Sequence, residues 1–325
     1  MITIWLHKGK LQMNDIVIIG YGSQAKAWAH NFRDSGRRVT IALRDNSESI
    51  PIVNEKGFEL ISLLNIGKLS KPILILLTPD HTHLETLTEI ASKLEVGTNI
   101  IYAHGYSYTA FNFKENFPKL NHLLLAPKAI ASELRFQYEN KGKLGAAYSL
   151  EDISAEESAE AKELLMAVAR DIGITAGPYE TTFLEETNAD LFSEQSLLCS
   201  LLPYGALHSY NKLRQKGVKR EIAYLECWLE VKLIADAMVK MGPEEFFKLI
   251  SPNALLGGEK AQKLLFDEGY HKKLDSLLSD IWNQDFFTEC KGLDFNKLRS
   301  SVLERWANEE LTQTHRELAP ELINK

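Results

Sequence analysis

Short apolar runs alternate with amphipathic stretches through the first half of the chain. Ile16-Val17-Ile18-Ile19 reads as a buried strand, and Ser23 to Ser35 carries a helical spacing that Gly36 stops. Val39 to Leu43 predicts a second strand, and Ile73 to Leu77, Asn99 to Ala103 and Leu123 to Ala126 predict three more. Between them, His83 to Leu94 keeps Leu84, Leu87, Ile90, Ala91 and Leu94 at helical period. Such alternation predicts a parallel sheet with crossover helices, a Rossmann-like, doubly wound α/β domain. Ser154-Ala155-Glu156-Glu157 is a capping-box signature for a helix that carries Leu164, Leu165 and Val168 and closes near Gly173. Gly177-Pro178 marks the expected boundary, after which long helical patterns replace strand signals. The expectation is an α/β domain over residues 1–179 and an all-α domain over residues 180–325.

The length of 325 residues, at about 150 per domain, agrees with two domains. A composition 45% hydrophobic and 25% charged excludes a disordered tail, a fibre and a disulfide mini-protein. Lysine and arginine number 37 against 44 acids, a net charge of −7, so no basic surplus is left to neutralise a nucleic-acid backbone. Cys199, Cys227 and Cys290 are far apart and form no C-x-x-C pair, which predicts buried small hydrophobes or free thiols in a reducing compartment. No apolar run approaches the ~20 residues of a membrane helix. Met1 to Leu6 is too short for the apolar core of a signal peptide, and none is expected. A cytoplasmic protein without a membrane partner is expected.

Three constellations carry chemistry. Gly20-Tyr21-Gly22-Ser23-Gln24-Ala25 lies where an apolar strand gives way to a helix. There two glycines permit a tight turn and a close approach of backbone to pyrophosphate, and the helix start offers free N–H groups. The alternative is a glycine-rich turn that holds no ligand. At the end of the second strand, Arg44 with Ser47 and Ser49 stands where an NAD-binding chain usually carries an acid. A cation with hydroxyls suits a ribose 2′-phosphate, hence NADPH; an ordinary surface arginine is the alternative. Finally, Glu186, Asp190 and Glu194 repeat at i, i+4 and i+8 within Phe183 to Leu198, and Glu226 and Glu230 repeat at i, i+4 within Ile222 to Met238. Like charges so spaced repel. Two such stripes without histidine or cysteine companions select a hard cation with oxygen ligands, Mg²⁺ or Mn²⁺. The competing explanation is a pair of amphipathic helices whose acids meet lysines or arginines.

His104 and Lys128 follow successive strands at the carboxyl edge, where doubly wound folds bind ligands. Ser251 has a helix cap as its default role.

Taken in order, Gly20-Tyr21-Gly22-Ser23-Gln24, Arg33-Asp34-Ser35-Gly36, Ala103-His104-Gly105, Ala126-Pro127-Lys128, Glu180-Thr181-Thr182-Phe183, Asp190-Leu191-Phe192, Glu194-Gln195, and Glu226 with Glu230 resemble the ketol-acid reductoisomerase family. The resemblance runs from about Ile16 to about Ser251. It implies an NADPH-binding domain joined to a knotted helical domain, and a homodimer or larger homo-oligomer whose sites are completed by the partner chain. It further implies conversion of 2-acetolactate or 2-aceto-2-hydroxybutyrate to the 2,3-dihydroxy acid in branched-chain amino-acid synthesis, by a Mg²⁺-requiring alkyl shift followed by hydride transfer. By position, Asp190 would bridge two Mg²⁺ ions and Glu194 would bind one. Glu226 and Glu230 of the other subunit would serve the second ion, with Glu230 also near substrate. Glu186 and Lys128 would handle protons, His104 would be the active-site histidine and Ser251 would contact the substrate carboxylate. Gly20 to Gln24, Arg44, Ser47, Ser49 and Asp80 would hold NADPH. The chain departs from the family at Ala25, at Ala129-Ile130-Ala131, at His81 and His83, and at Asn253-Ala254-Leu255-Leu256-Gly257. These departures keep two other functions in view: a 2-keto or 3-hydroxy acid reductase without the isomerase step, and an NADP-binding paralogue without activity.

Overall fold

The computed structural model describes residues 5–7, 10–12 and 16–323. The chain divides into two compact units, the first ending at Thr187 and the second beginning at Asn188.

A short hairpin pairs β1 (Trp5–His7) with β2 (Lys10–Gln12). The first unit is otherwise built on one sheet. Its strands are β3 (Ile16–Ile19), β4 (Val39–Leu43), β5 (Glu59–Ser62), β6 (Ile73–Leu76), β7 (Asn99–Tyr102), β8 (Asn121–Pro127), β9 (Gly145–Ser149) and β10 (Ala176–Glu180). Their spatial order is β10-β9-β8-β7-β6-β3-β4-β5. Pairing is parallel throughout except between β8 and β9. The central strands are apolar at every position because helices cover both faces of the sheet. Alternate residues then serve separate cores: Ile16, Ile18 and Ile75 pack with Trp28 and Phe32 on one face, and Val17, Ile19, Leu74 and Leu76 pack with Leu87 and Phe113 on the other. Ser154 caps the helix Ala155–Asp171, its Oγ accepting from the Glu157 amide, as the capping box requires.

Three strands escape the hydrophobic pattern. β5, β9 and β10 flank the sheet, and β10 contains Gly177-Pro178, so the turn-like pair that marks the expected boundary is part of an edge strand. An edge strand tolerates proline because one of its rows of N–H groups has no partner to lose.

The second unit is helical. Tyr210 and Tyr224 are fully buried with Leu207, Ala223 and Leu311, and Arg214 makes a two-point ion pair with Glu310 at 2.8 and 2.9 Å. Neither acidic stripe lies on an unbroken α-helix. The helix Phe183–Ser193 continues into a π-helical turn, Glu194–Leu198, whose Cys199 amide donates to the Glu194 carbonyl five residues back at 2.9 Å. Likewise Ile222 to Met238 is divided: a π-helical turn, Leu225–Leu229, separates Arg220–Tyr224 from Glu230–Met241. The wider turn carries one extra residue, so Glu226 and Glu230 do not keep the face alignment of an ideal α-helix. Cys199 is exposed and Cys227 and Cys290 are half-buried, Cys227 packing against the Tyr210–Tyr224 cluster, and none of the three is in a disulfide. Among the described residues no helix is long and apolar enough to cross a membrane.

Candidate active site

β3 delivers the glycine turn. Gly20 has φ +99°, and a Cβ there would lie 2.8 Å from Thr78 Cγ2, so only glycine fits where β3 meets the end of β6. Gly22 caps the helix Ser23–Asp34, and a Cβ added to it would meet nothing within 4 Å. That combination is a closed back and an open front: the turn is packed against the sheet while the helix start faces free space. Ala25 is fully buried against the strand, the helix–sheet contact that a small residue permits.

The open front belongs to a pocket of about 330 Å³ lined by Gly20, Tyr21, Gly22, Arg44, Ser47 and Ser49, with Asn46, Thr78, Pro79, Thr82 and Thr86. The glycine turn and the residues after β4 therefore share one cavity. Asn46, Thr82 and Thr86 complete it without any signal in the sequence pattern, because polar residues one helical turn apart resemble an ordinary solvated face. Asp80 is not in its lining; it opens the short turn Asp80–Thr82, with an oxygen 3.8 Å from His83 Nδ1. His83 itself is buried, joining the Thr78 carbonyl (Nε2, 2.8 Å) to Ser107 Oγ (Nδ1, 2.7 Å). Burial holds its pKa below the usual imidazole value. Arg44 is paired with two acids, Glu85 at 3.1 Å and Glu89 at 4.0 Å.

A second cluster forms past the ends of neighbouring strands β7 and β8. The Glu186 carboxylate accepts from the Gly105 amide at 2.8 Å and from His104 Nδ1 at 3.0 Å on one oxygen, and from Lys128 Nζ at 2.6 Å on the other. Its side chain is only 2% exposed. Burial alone would raise its pKa, but His104 and then Lys128 outweigh that and hold it at about 2. Glycine is obligatory at 105 for steric reasons, since a Cβ would meet the Phe183 carbonyl and Thr187 Oγ1, each at 2.5 Å. Phe183 is fully buried, its ring stacked on Tyr108 with centroids 3.8 Å apart, which fixes the first turn of the helix carrying Glu186. Gln24 Nε2 donates to the Ala129 carbonyl at 3.2 Å, so the glycine turn and the Lys128 loop are joined directly. Ala129-Ile130-Ala131 leads into the helix Ala131–Glu139 with Ile130 largely exposed.

The remaining acids behave differently. Asp190 stands one turn beyond Glu186 on its helix and is half-buried, whereas Glu194, Glu226 and Glu230 are exposed on this chain. Among the described residues, Glu194, Glu226 and Glu230 do not converge into a group of three ligand-type side chains. Both π-helical turns begin at or beside one of these acids, and such turns mark functional positions more often than chance. Near them, Asn188 Oδ1 and Gln195 Nε2 are buried without a hydrogen-bond partner. Asp190, Glu194, Glu226 and Glu230 offer oxygen donors only, the ligand chemistry that suits a hydrated hard cation such as Mg²⁺. Ser251 caps the helix Pro252–Leu265, its Oγ accepting from the Ala254 amide at 3.2 Å.

Comparison with known proteins agrees with this architecture. Residues 10–177 match the family described as acetohydroxy acid isomeroreductase, NADPH-binding domain, and residues 183–322 match ketol-acid reductoisomerase, C-terminal domain. A curated ketol-acid reductoisomerase (NADP(+)) from Helicobacter acinonychis (strain Sheeba) is 35% identical over 300 residues, spanning 90% of this chain and 88% of that protein. Among solved structures, an NADH-preferring ketol-acid reductoisomerase from an uncultured archaeon superposes with a TM-score of 0.86 at 24% identity, over 96% of this chain and 95% of that one. A semialdehyde dehydrogenase NAD-binding protein from Cupriavidus necator, in complex with calcium and NAD, gives a TM-score of 0.62 at 19% identity, over 84% and 99% of the two chains. These two structures speak for the fold alone.

Proposed function

Because the chain belongs to the ketol-acid reductoisomerase family, we propose that it converts 2-acetolactate or 2-aceto-2-hydroxybutyrate to the corresponding 2,3-dihydroxy acid. The reaction is Mg²⁺-dependent, consumes NADPH and serves branched-chain amino-acid synthesis. The observation that carries this reading is the Glu186 carboxylate, buried and held by Gly105, His104 and Lys128, on a loop that Gln24 of the glycine turn joins through the Ala129 carbonyl.

Residues 1–179 hold the cofactor and residues 180–325 supply metal, substrate and dimer contacts. The Gly20–Gln24 turn would hold the pyrophosphate, and Arg44, Ser47 and Ser49 would meet the adenine ribose. Asp190 and Glu194 would hold Mg²⁺, and Glu226 and Glu230 would complete the set from a second copy of the chain, which suits their exposure on this one. When bound, NADPH supplies the hydride and Mg²⁺ polarises the ketone. The protein's own part is to place protons. With Glu186 at a pKa of about 2, the proton of the Lys128–Glu186 pair stays on Lys128 Nζ at neutral pH. Lys128 is thus the donor for the oxygen that gains charge during the alkyl shift, and Glu186 anchors it and His104 in place. Ser251 meets the substrate carboxylate.

The test is NADPH oxidation with 2-acetolactate in the presence of Mg²⁺ and after EDTA. The proposal requires turnover that EDTA abolishes and added Mg²⁺ restores. Turnover of simple 2-keto acids with no response to acetolactate would replace it with a reductase lacking the isomerase step.

A further inference from the structure

Arg44 stands at the end of β4, where a dinucleotide fold places the adenine ribose, and it lines the pocket. The guanidinium edge formed by NH2 and Nε is the two-point edge that would embrace a phosphate. In this chain that edge is directed at acids: NH2 pairs with Glu85 Oε1 at 3.1 Å, and Nε lies 4.0 Å from Glu89 Oε2. Both acids belong to the helix His83–Ile90, one turn apart, next to the face whose Thr86 lines the pocket; neither lines it themselves.

Resting on the cofactor reading above, we infer that Glu85, backed by Glu89, sets the discrimination between NADPH and NADH by holding the Arg44 guanidinium and opposing a 2′-phosphate. A phosphate monoester carries roughly −1.5 to −2 charges at neutral pH. Reaching it, Arg44 must share or release Glu85, and both carboxylates repel the incoming dianion. NADH lacks that phosphate and is indifferent to the pair. The chain therefore prefers NADPH less strongly than Arg44, Ser47 and Ser49 alone would dictate.

The test measures the Kd of each nucleotide on the full chain by fluorescence titration, for the unmodified protein, Glu85→Gln and Glu85→Gln with Glu89→Gln. Glutamine keeps the length and removes the charge. NADPH should bind about two- to fivefold tighter to Glu85→Gln, the range open to an exposed ion pair, and tighter again to the double variant. NADH should be unchanged. The gain should fade at 1 M salt, where the screening length falls to about 3 Å. An unchanged NADPH Kd, or an equal change for both nucleotides, overturns the inference and leaves the cofactor reading intact. Failure of the unmodified protein to bind either nucleotide overturns both.

Discussion

Lys128 Nζ lies 2.6 Å from Glu186 Oε1, a lysine from the end of one strand meeting an acid from the first turn of a helix 58 residues later. Glu186 is buried while Lys128 is 44% exposed, so the pair is one-sided: the acid depends on the lysine more than the lysine on the acid. Lys128→Met should therefore abolish turnover and also destabilise the fold by about 1–3 kcal/mol, because a buried carboxylate loses a charged partner but keeps Gly105 and His104. Glu186→Gln should abolish turnover and cost about 3 kcal/mol at neutral pH, because it gives up the ionised form that folding favours. Parallel activity assays and urea unfolding separate the two effects.

The depressed pKa of Glu186 has a consequence at low pH. Its folded value of about 2 lies below the ordinary 4.5, so the ionised form is favoured by folding. The contribution is fully present above pH 4.5 and is lost as pH falls toward 2, amounting to about 3 kcal/mol by linkage. Urea midpoints measured between pH 6 and pH 2.5 should fall more steeply for the unmodified protein than for Glu186→Gln. Parallel curves would contradict the assignment.

Gly105→Ala should be among the most damaging single-methyl additions in the first unit. The new Cβ would press on the Phe183 carbonyl at 2.5 Å, and that backbone cannot yield without unstacking Phe183 from Tyr108. A loss of about 2–4 kcal/mol is expected, read as a fall in melting temperature, with the helix that carries Glu186 displaced. By contrast, Gly22→Ala meets open space and should leave stability within about 1 kcal/mol. It should still weaken NADPH binding, since the methyl occupies the front of the phosphate turn. Dinucleotide titration alongside thermal melts distinguishes the two glycines.

Much of this was legible in the residues, and what was not has identifiable causes. β3, β4 and β6 through β8 are apolar runs because both faces are covered. β5 carries exposed residues, Glu59 and Leu60, and β9 is Gly145-Ala146-Ala147-Tyr148-Ser149, too small and polar to stand out. The glycine turn shares its cavity with Arg44, Ser47 and Ser49, as their positions after successive strands imply. The π-helical turns at Glu194 and Leu225 leave no mark on hydrophobic periodicity, since one extra residue in a short stretch merely shifts its phase. The pairing of Arg44 with Glu85 was equally hidden, because it joins two elements 41 positions apart through exposed side chains.

The acidic stripe is the centre of the account, and Asp190→Asn tests it most directly. The substitution keeps size while removing one charge and one oxygen ligand from a position proposed to hold Mg²⁺. Measured as Mg²⁺-dependent NADPH oxidation with 2-acetolactate, beside NADPH binding on the same preparation, the variant should retain nucleotide affinity and lose activity by at least about a thousandfold, as expected when several kcal/mol of metal-derived stabilisation disappears. Retention of most of the activity, with an unchanged Mg²⁺ requirement, would contradict it.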